Sequence, residues 1–294
     1  MFKNLASRRL GISGTQSEII EFALSFGFTG IDVDLVDFSL RAQNYGLDHA
    51  LRYFKSAGLT VGSYRLNVSL EAEEDAFADQ LAELPALVEN ALALDCRRAI
   101  VSIEPASDAR PFQENIELHC QRINKIAAVL QASETQLGLE LNPLAAAREG
   151  IAHEFVYTLE AAVGLLGMIE GYVGLVVDLW GLHVSGEADA WQSLRVDQIA
   201  SVLVADATED KPASEWTDAD RLLPGSTGVI DVEAALCTLA GMGYQGPVTP
   251  VPSRSSFGNT RREALVKQTG QSLSQLWKAM EASLAETAAA VTNS

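Results

Sequence analysis

Residues 173–183, VGLVVDLWGLH, and residues 199–207, IASVLVADA, decide the fold. Each is a short apolar run rich in β-branched residues, and each carries an aspartate near its end, Asp178 or Asp206. Runs of this kind are suited to burial on both faces, as in the strands of a parallel sheet. Working outward, comparable runs predict strands at Arg9–Ser13, Gly30–Leu35, Thr60–Leu66, Arg98–Glu104, Gln136–Asn142 and Gly246–Pro252, with the two quoted runs spanning Tyr172–Trp180 and Ile199–Ala207.

Helical patterns separate these runs. Thr15 and Glu18 have capping-box spacing ahead of QSEIIEFALSF, which places Ile19, Ile20, Phe22, Ala23 and Phe26 on one face and stops at Gly27. Further helices are predicted at Asp48–Ala57, Ala72–Leu94 (kinked or split by Pro85), Phe112–Ala132, Glu154–Ile169, Val232–Met242 and Arg261–Ala288, with a short one near Asp189–Gln198. Strand–helix alternation repeated through 294 residues predicts a single-domain (β/α)8 barrel, whose usual size is about 250 residues. An open doubly wound sheet fits less well, because no G-x-G-x-x-G loop follows the first strand. The polar segment Thr208–Gly228 reads as a long functional loop, and Ala285–Ser294 as a flexible tail.

Composition excludes several classes. Hydrophobic residues make up 48%, enough for a large core, but no apolar run reaches the roughly 20 residues needed to span a bilayer. The first residues, MFKNLASRRLGIS, lack the apolar stretch of a signal peptide, so a cytoplasmic protein is expected, as monomer or homodimer. A net charge of −18 disfavours nucleic acid and anionic membranes as partners. The pairs Arg8-Arg9, Arg97-Arg98 and Arg261-Arg262 read as solvated surface. Cys96, Cys120 and Cys237 show neither disulfide nor zinc spacing and are expected to be buried thiols. His49, His119 and His153 are expected on helices away from the barrel mouth, at the surface or as caps.

In a (β/α)8 barrel the active site lies at the C-terminal ends of the strands. The polar residues closing the predicted strands are Ser13, Asp32 and Asp34, Tyr64 and Arg65, Glu104, Glu140 and Asn142, Asp178, Asp206, and Ser253 and Arg254. One acidic residue at a strand end reads as a satisfied loop contact; several converging on one mouth read as a polar pocket.

The order strand-Glu (LGLELNP, 137–143), strand-Asp (VGLVVDLWGLH), strand-Asp (SVLVADA), then LPGSTGVID (223–231) and GYQGPVT (243–249) resembles the xylose-isomerase-like family of sugar phosphate isomerases and epimerases. The stretch EPASDARPFQENIELHCQRI (104–123) resembles the same family, and the similarity runs from about Arg9 to Phe257. The resemblance implies one divalent cation (manganese, magnesium or zinc) held by a Glu, an Asp, a His and a Glu on the last four strands. That cation would polarise a sugar carbonyl while the glutamates move a proton. Carried over, Glu140 and Asp178 match the first two ligands. Leu203 stands at the His position, Val251 at the final Glu position, and Gly181 where a further His commonly follows the strand-six Asp.

Two carboxylates alone make an incomplete cage, so a weak or absent cation is expected at Glu140 and Asp178. Without a cation, Glu140 is the expected base and Asp178 an orienting or second acid/base group, with Arg65 and Arg221 as counter-charges. Arg65, Glu104, Asp206, Arg221 and Arg254 are expected to help hold a sugar-like ligand. Trp180 is expected either to stack on the sugar or to pack at the mouth, and His183 to be either a displaced ligand or a loop histidine. A sugar or polyol isomerase/epimerase with altered chemistry and a non-catalytic sugar-binding or scaffold barrel both fit. A repair nuclease of the related branch does not, for want of basic surface and of a multi-metal site.

Overall fold

The computed structural model describes residues 1–209 and 211–292. The strands are β1 Phe2–Leu5, β2 Gly30–Ile31, β3 Thr60–Val61, β4 Tyr64–Arg65, β5 Arg98–Ser102, β6 Ala106–Ser107, β7 Gln136–Glu140, β8 His153–Glu154, β9 Val173–Asp178, β10 Ile199–Val204 and β11 Pro247–Pro250. The helices are α1 Gln16–Ser25, α2 Leu35–Tyr45, α3 Leu47–Ala57, α4 Glu74–Ala93, α5 Phe112–Gln131, α6 Leu159–Leu166, α7 Leu179–Val184, α8 Val232–Gly241 and α9 Arg262–Thr292.

One nine-stranded sheet, entirely parallel, runs in the order β3-β2-β1-β11-β10-β9-β7-β5-β4. Its two ends, β3 and β4, are consecutive pieces of a single extended run, so the sheet closes on itself as a (β/α)8 barrel within one domain. The break between them falls at Gly62 and Ser63. The Gly62 amide still reaches Ile31 O on one side, and Leu66 N reaches Ile100 O on the other. Gly62 is required by space: a Cβ there would lie 2.4 Å from Asn4 Oδ1 and 2.7 Å from Asp32 Oδ1. A separate antiparallel pair, β6 with β8, sits beside the mouth.

The first stave is Phe2–Leu5, not Arg9–Ser13. Phe2 and Lys3 pair with β11, and Asn4 and Leu5 with β2. The segment after it coils through a turn in which Leu10 N bonds Ala6 O and Gly11 adopts φ +63. That turn lifts Arg8 and Arg9 over the mouth. The second stave stops at Ile31, because Asp34 is a helix cap: its Oδ1 accepts from the amides of Val36 and Asp37 and opens α2, which was not predicted. The capping box at Thr15 and Glu18 forms as predicted, and α4 runs unbroken through Pro85. The predicted helix at Glu154–Ile169 is shorter, because 153–154 form β8. Of the segment Ala285–Ser294, the residues through Thr292 are helical as part of α9, and residues 293–294 lie outside the described residues.

The apolar residues sort into two clusters. The larger wraps the sheet and the helices. The smaller lies beneath the mouth and joins Ile100, Val176, Trp180, Leu203, Ala205, Trp216 and Val251. Burying a residue of the Val or Leu class contributes about 1.5–3 kcal/mol, so Leu203 and Val251 act as core. Among the described residues, no helix is long and apolar enough to cross a membrane.

Candidate active site at the barrel mouth

A cleft of about 520 Å³ opens at the C-terminal ends of the strands, lined among others by Arg9, Arg65, Glu104, Glu140, Asp178 and Arg221. An adjoining hollow of about 440 Å³ shares Arg8, Arg9 and Arg65 and adds Asp32, Ser63 and Tyr64. Both volumes are ordinary for a small-molecule site.

Two salt-bridge clusters hold the strand-end acids. Glu140 closes β7; its Oε1 accepts from Arg9 Nη1 at 2.7 Å and its Oε2 from Arg65 Nη2. Arg65 also donates to Ser102 Oγ at 2.5 Å. Burial pushes the Glu140 carboxyl up, but the two guanidiniums outweigh it and hold it below the usual carboxylate range. Asp178 closes β9 and is gripped in a fork by Arg221, at 3.0 Å to Oδ1 and 2.6 Å to Oδ2. Arg221 also donates to Asp218 Oδ1 at 3.0 Å and lies 4.1 Å over the Trp180 ring. Burial favours the neutral guanidine, yet these acids raise the Arg221 pKa and secure its charge.

The remaining expected residues spread out. Glu104 stands exposed at the cleft rim. Arg254 lines the cleft, but its guanidinium donates to Gly258 O at 3.2 Å and Thr260 O at 2.5 Å. Asp206 does not face the mouth: it is fully buried and accepts from the amides of Ala207, Thr227, Gly228 and Ile230. Burial opposes its charge, but those amides hold its pKa down, and it pins the returning end of the 208–228 loop. Trp180 is also fully buried, edge-on to Trp216 with ring centres 5.8 Å apart, which makes it a support under Arg221 rather than an open stacking platform. His183 is half-buried on α7 with its ring edge-on to Trp216 at 5.6 Å.

The Arg8-Arg9 pair departs from the surface reading. Arg9 reaches the heart of the mouth, while Arg8 pairs with Asp34 at its edge. The strand pattern at Arg9–Ser13 conceals this, because it places Arg9 at the bottom of the barrel, whereas the first stave ends at Leu5. Asp218 and Ser102 were missed because neither lies at a strand end by pattern. Away from the mouth, His119 is not a surface residue: it is fully buried, bonds Asn115 O at 2.9 Å and lies against Phe155. His153 sits on β8 rather than on a helix. Cys96 is buried, and burial pushes its thiol up to about 12, whereas Cys120 and Cys237 are half-buried; all three are free thiols.

The family described as xylose isomerase-like TIM barrel matches residues 20–276 of this sequence. The chain belongs to that family. An inosose isomerase from Halalkalibacterium halodurans is 24% identical over 259 residues, which cover 84% of this chain and 86% of that protein. A xylose isomerase domain protein from Alicyclobacillus acidocaldarius shares the fold with a TM-score of 0.85 at 23% identity, over 96% of this chain and 99% of the other. An IolI protein solved with a zinc atom shares it at 0.79 and 18% identity, over 94% and 98%.

A zinc-bound relative invites a test of whether these residues fit a cation. Among the described residues no group of three or more His, Cys, Asp or Glu side chains is placed to hold one. Glu140 and Asp178 already spend their oxygens on guanidiniums, and the other two positions of the xylose isomerase-like pattern, Leu203 and Val251, are buried aliphatics. An aliphatic side chain has no lone pair to offer a metal. Leu203 and Val251 therefore cannot supply the donors that the resemblance implies for such a cation.

Proposed function

We propose that this barrel is an isomerase- or epimerase-type protein that takes a small polyhydroxylated carbonyl compound, a ketose or an inosose-like cyclic polyol, at its mouth without a resident divalent cation. The observation that carries this reading is the pair of arginine clamps. Where a cation would neutralise Glu140 and Asp178, Arg9 with Arg65 and Arg221 do so instead. Guanidiniums in a half-enclosed cleft can also hydrogen-bond a carbonyl oxygen and receive the charge that develops on it. Clamped glutamate and aspartate oxygens still accept hydrogen bonds from sugar hydroxyls, which orients a polyol.

The test is calorimetry with inosose, D-tagatose and L-ribulose on protein kept in EDTA, repeated with manganese. The reading expects at least one of them to bind equally well in both conditions. Binding that needs manganese, or none at all, overturns it. A non-catalytic barrel is the second reading, favoured by the apolar residues Leu203 and Val251 at two positions where the family pattern carries ligands. NMR of the bound compound over time separates the two, because only an enzyme converts it.

A further inference from the structure

The acids around the mouth are not equivalent. Glu140 and Asp178 are held by guanidiniums. Asp34 pairs with Arg8 and caps α2, Asp218 pairs with Arg221, and Asp206 is saturated by backbone amides. Glu104 is exposed on the rim. Asp32, just past β2, is different. Its Oδ1 accepts from Asn4 Nδ2 at 2.8 Å and from the Ser63 amide at 2.9 Å, and both donors are neutral. The Ser63 hydroxyl, also neutral, adds a further bond, and the side chain lines the hollow that also contains Arg9, Ser63 and Arg65.

The support behind Asp32 is built with care for position. Asn4 is fully buried on β1 and bridges Asp32 to Thr249 Oγ1 on β11 at 2.9 Å. Gly62 leaves the space in which both side chains meet. Three staves therefore fix Oδ1 and hold the carboxyl at the wall of the hollow.

We infer that Asp32 is the proton-transferring group of this mouth, acting at the carbon beside the carbonyl of the bound compound. The assignment rests on the carbonyl-compound reading above. The Asp32 carboxylate takes the proton from that carbon. The C–H electron pair becomes the carbon–carbon π bond, and the carbonyl π pair moves to oxygen, where a guanidinium N–H of Arg9 or Arg65 meets the new charge. Return of the proton to the same carbon restores both groups, and in D2O the atom returned is deuterium. The environment suits the task. Burial raises the Asp32 pKa, and the bonds from Asn4 and Ser63 and the field of Arg9 offset that only in part. The acid is thereby moved toward the working pH, where proton transfer is most efficient. The titratable neighbours that bear on it are Arg9 and, from the strand side, the Cys96 thiol.

The test compares the wild type with Asp32→Asn in D2O and EDTA, using inosose, D-tagatose and L-ribulose. Calorimetry reads binding, and NMR reads deuterium at the carbons flanking the carbonyl. Asparagine keeps an acceptor for Asn4 and Ser63, so binding should survive while exchange falls about 100-fold or more. Wild-type exchange should rise with pH through a midpoint above the ordinary aspartate value of about 3.9. The inference is overturned by binding without exchange in the wild type, or by undiminished exchange in the variant. If none of the compounds binds, the carbonyl-compound reading itself fails and takes this one with it. Should the variant not fold, the wild-type profile decides: a midpoint at or below the ordinary aspartate value overturns the assignment.

Discussion

Glu140 and Asp32 are the same functional group at two sides of one barrel mouth, and their surroundings drive them in opposite directions. Glu140 meets Arg9 and Arg65, and the charge of those groups lowers its pKa below the usual range despite burial. Asp32 is hydrogen-bonded only by neutral groups, the Asn4 amide and the Ser63 hydroxyl and backbone amide, with Arg9 acting on it through space, and there burial wins. The lesson is that a buried carboxyl is defined by its donors: charged donors make it a structural anchor, and neutral donors leave it able to hold and release a proton.

Breaking the anchored side should have the largest effect. Arg221→Ala leaves Asp178 largely buried without its counter-charge, removes a guanidinium packed on Trp180, and should cost about 3–5 kcal/mol in urea unfolding. A cost under about 1 kcal/mol would mean that water replaces the arginine, and the clamp would then be ornamental.

Next comes the floor between the two sides. A Cβ on Gly138 would lie 2.6 Å from Ile100 Cδ1 and 2.9 Å from Ala200 Cβ, so Gly138→Ala should cost about 1–3 kcal/mol through overpacking. Thermal unfolding checks it, and an unchanged midpoint would show a floor loose enough to yield.

The pH dependence sharpens the contrast, because the signs differ. The lowered pKa of Glu140 gives stability that is present above its unfolded value and lost as pH falls through the folded one. The raised pKa of Asp32 gives stability that is present below its unfolded value and lost as pH rises through the folded one. Glu140→Gln should therefore flatten the acid limb of the stability curve. Asp32→Asn should stabilise the protein at neutral pH, a gain of the kind seen when a functional group is removed. Equal responses from the two variants would erase the distinction.

The smallest effect is expected at the mouth's edge. Arg8 is 81% exposed in its pair with Asp34, and Arg8→Ala should change stability by less than about 0.5 kcal/mol.

Much of this protein was readable from its sequence where a local pattern carried the information. The runs ending at Glu140, Asp178 and Asp206 became β7, β9 and β10 and their flanks, and the capping box at Thr15 opened α1 as spaced. Arg65 and Arg221 were assigned as counter-charges and do meet Glu140 and Asp178. Legibility failed where two local readings were degenerate. Arg9–Ser13 has strand-like composition, but Phe2–Leu5 has the partners, and only pairing with β11 and β2 separates them. Asp34 closes a strand by pattern yet caps α2, and Asp206 closes one by pattern yet anchors a loop.

The sequence by itself determined the barrel, because alternating buried strands and amphipathic helices allow few other closures, and it determined that Leu203 and Val251 cannot offer a cation any donor. Tertiary structure alone decided which charges meet. Arg9 finds Glu140 across 131 residues, and Arg221 finds Asp178 across 43. It also decided that Asp32 is met by Asn4 and Ser63 instead of an arginine. Electrostatic environment is set by distances through space, and a pattern read along the chain does not contain them.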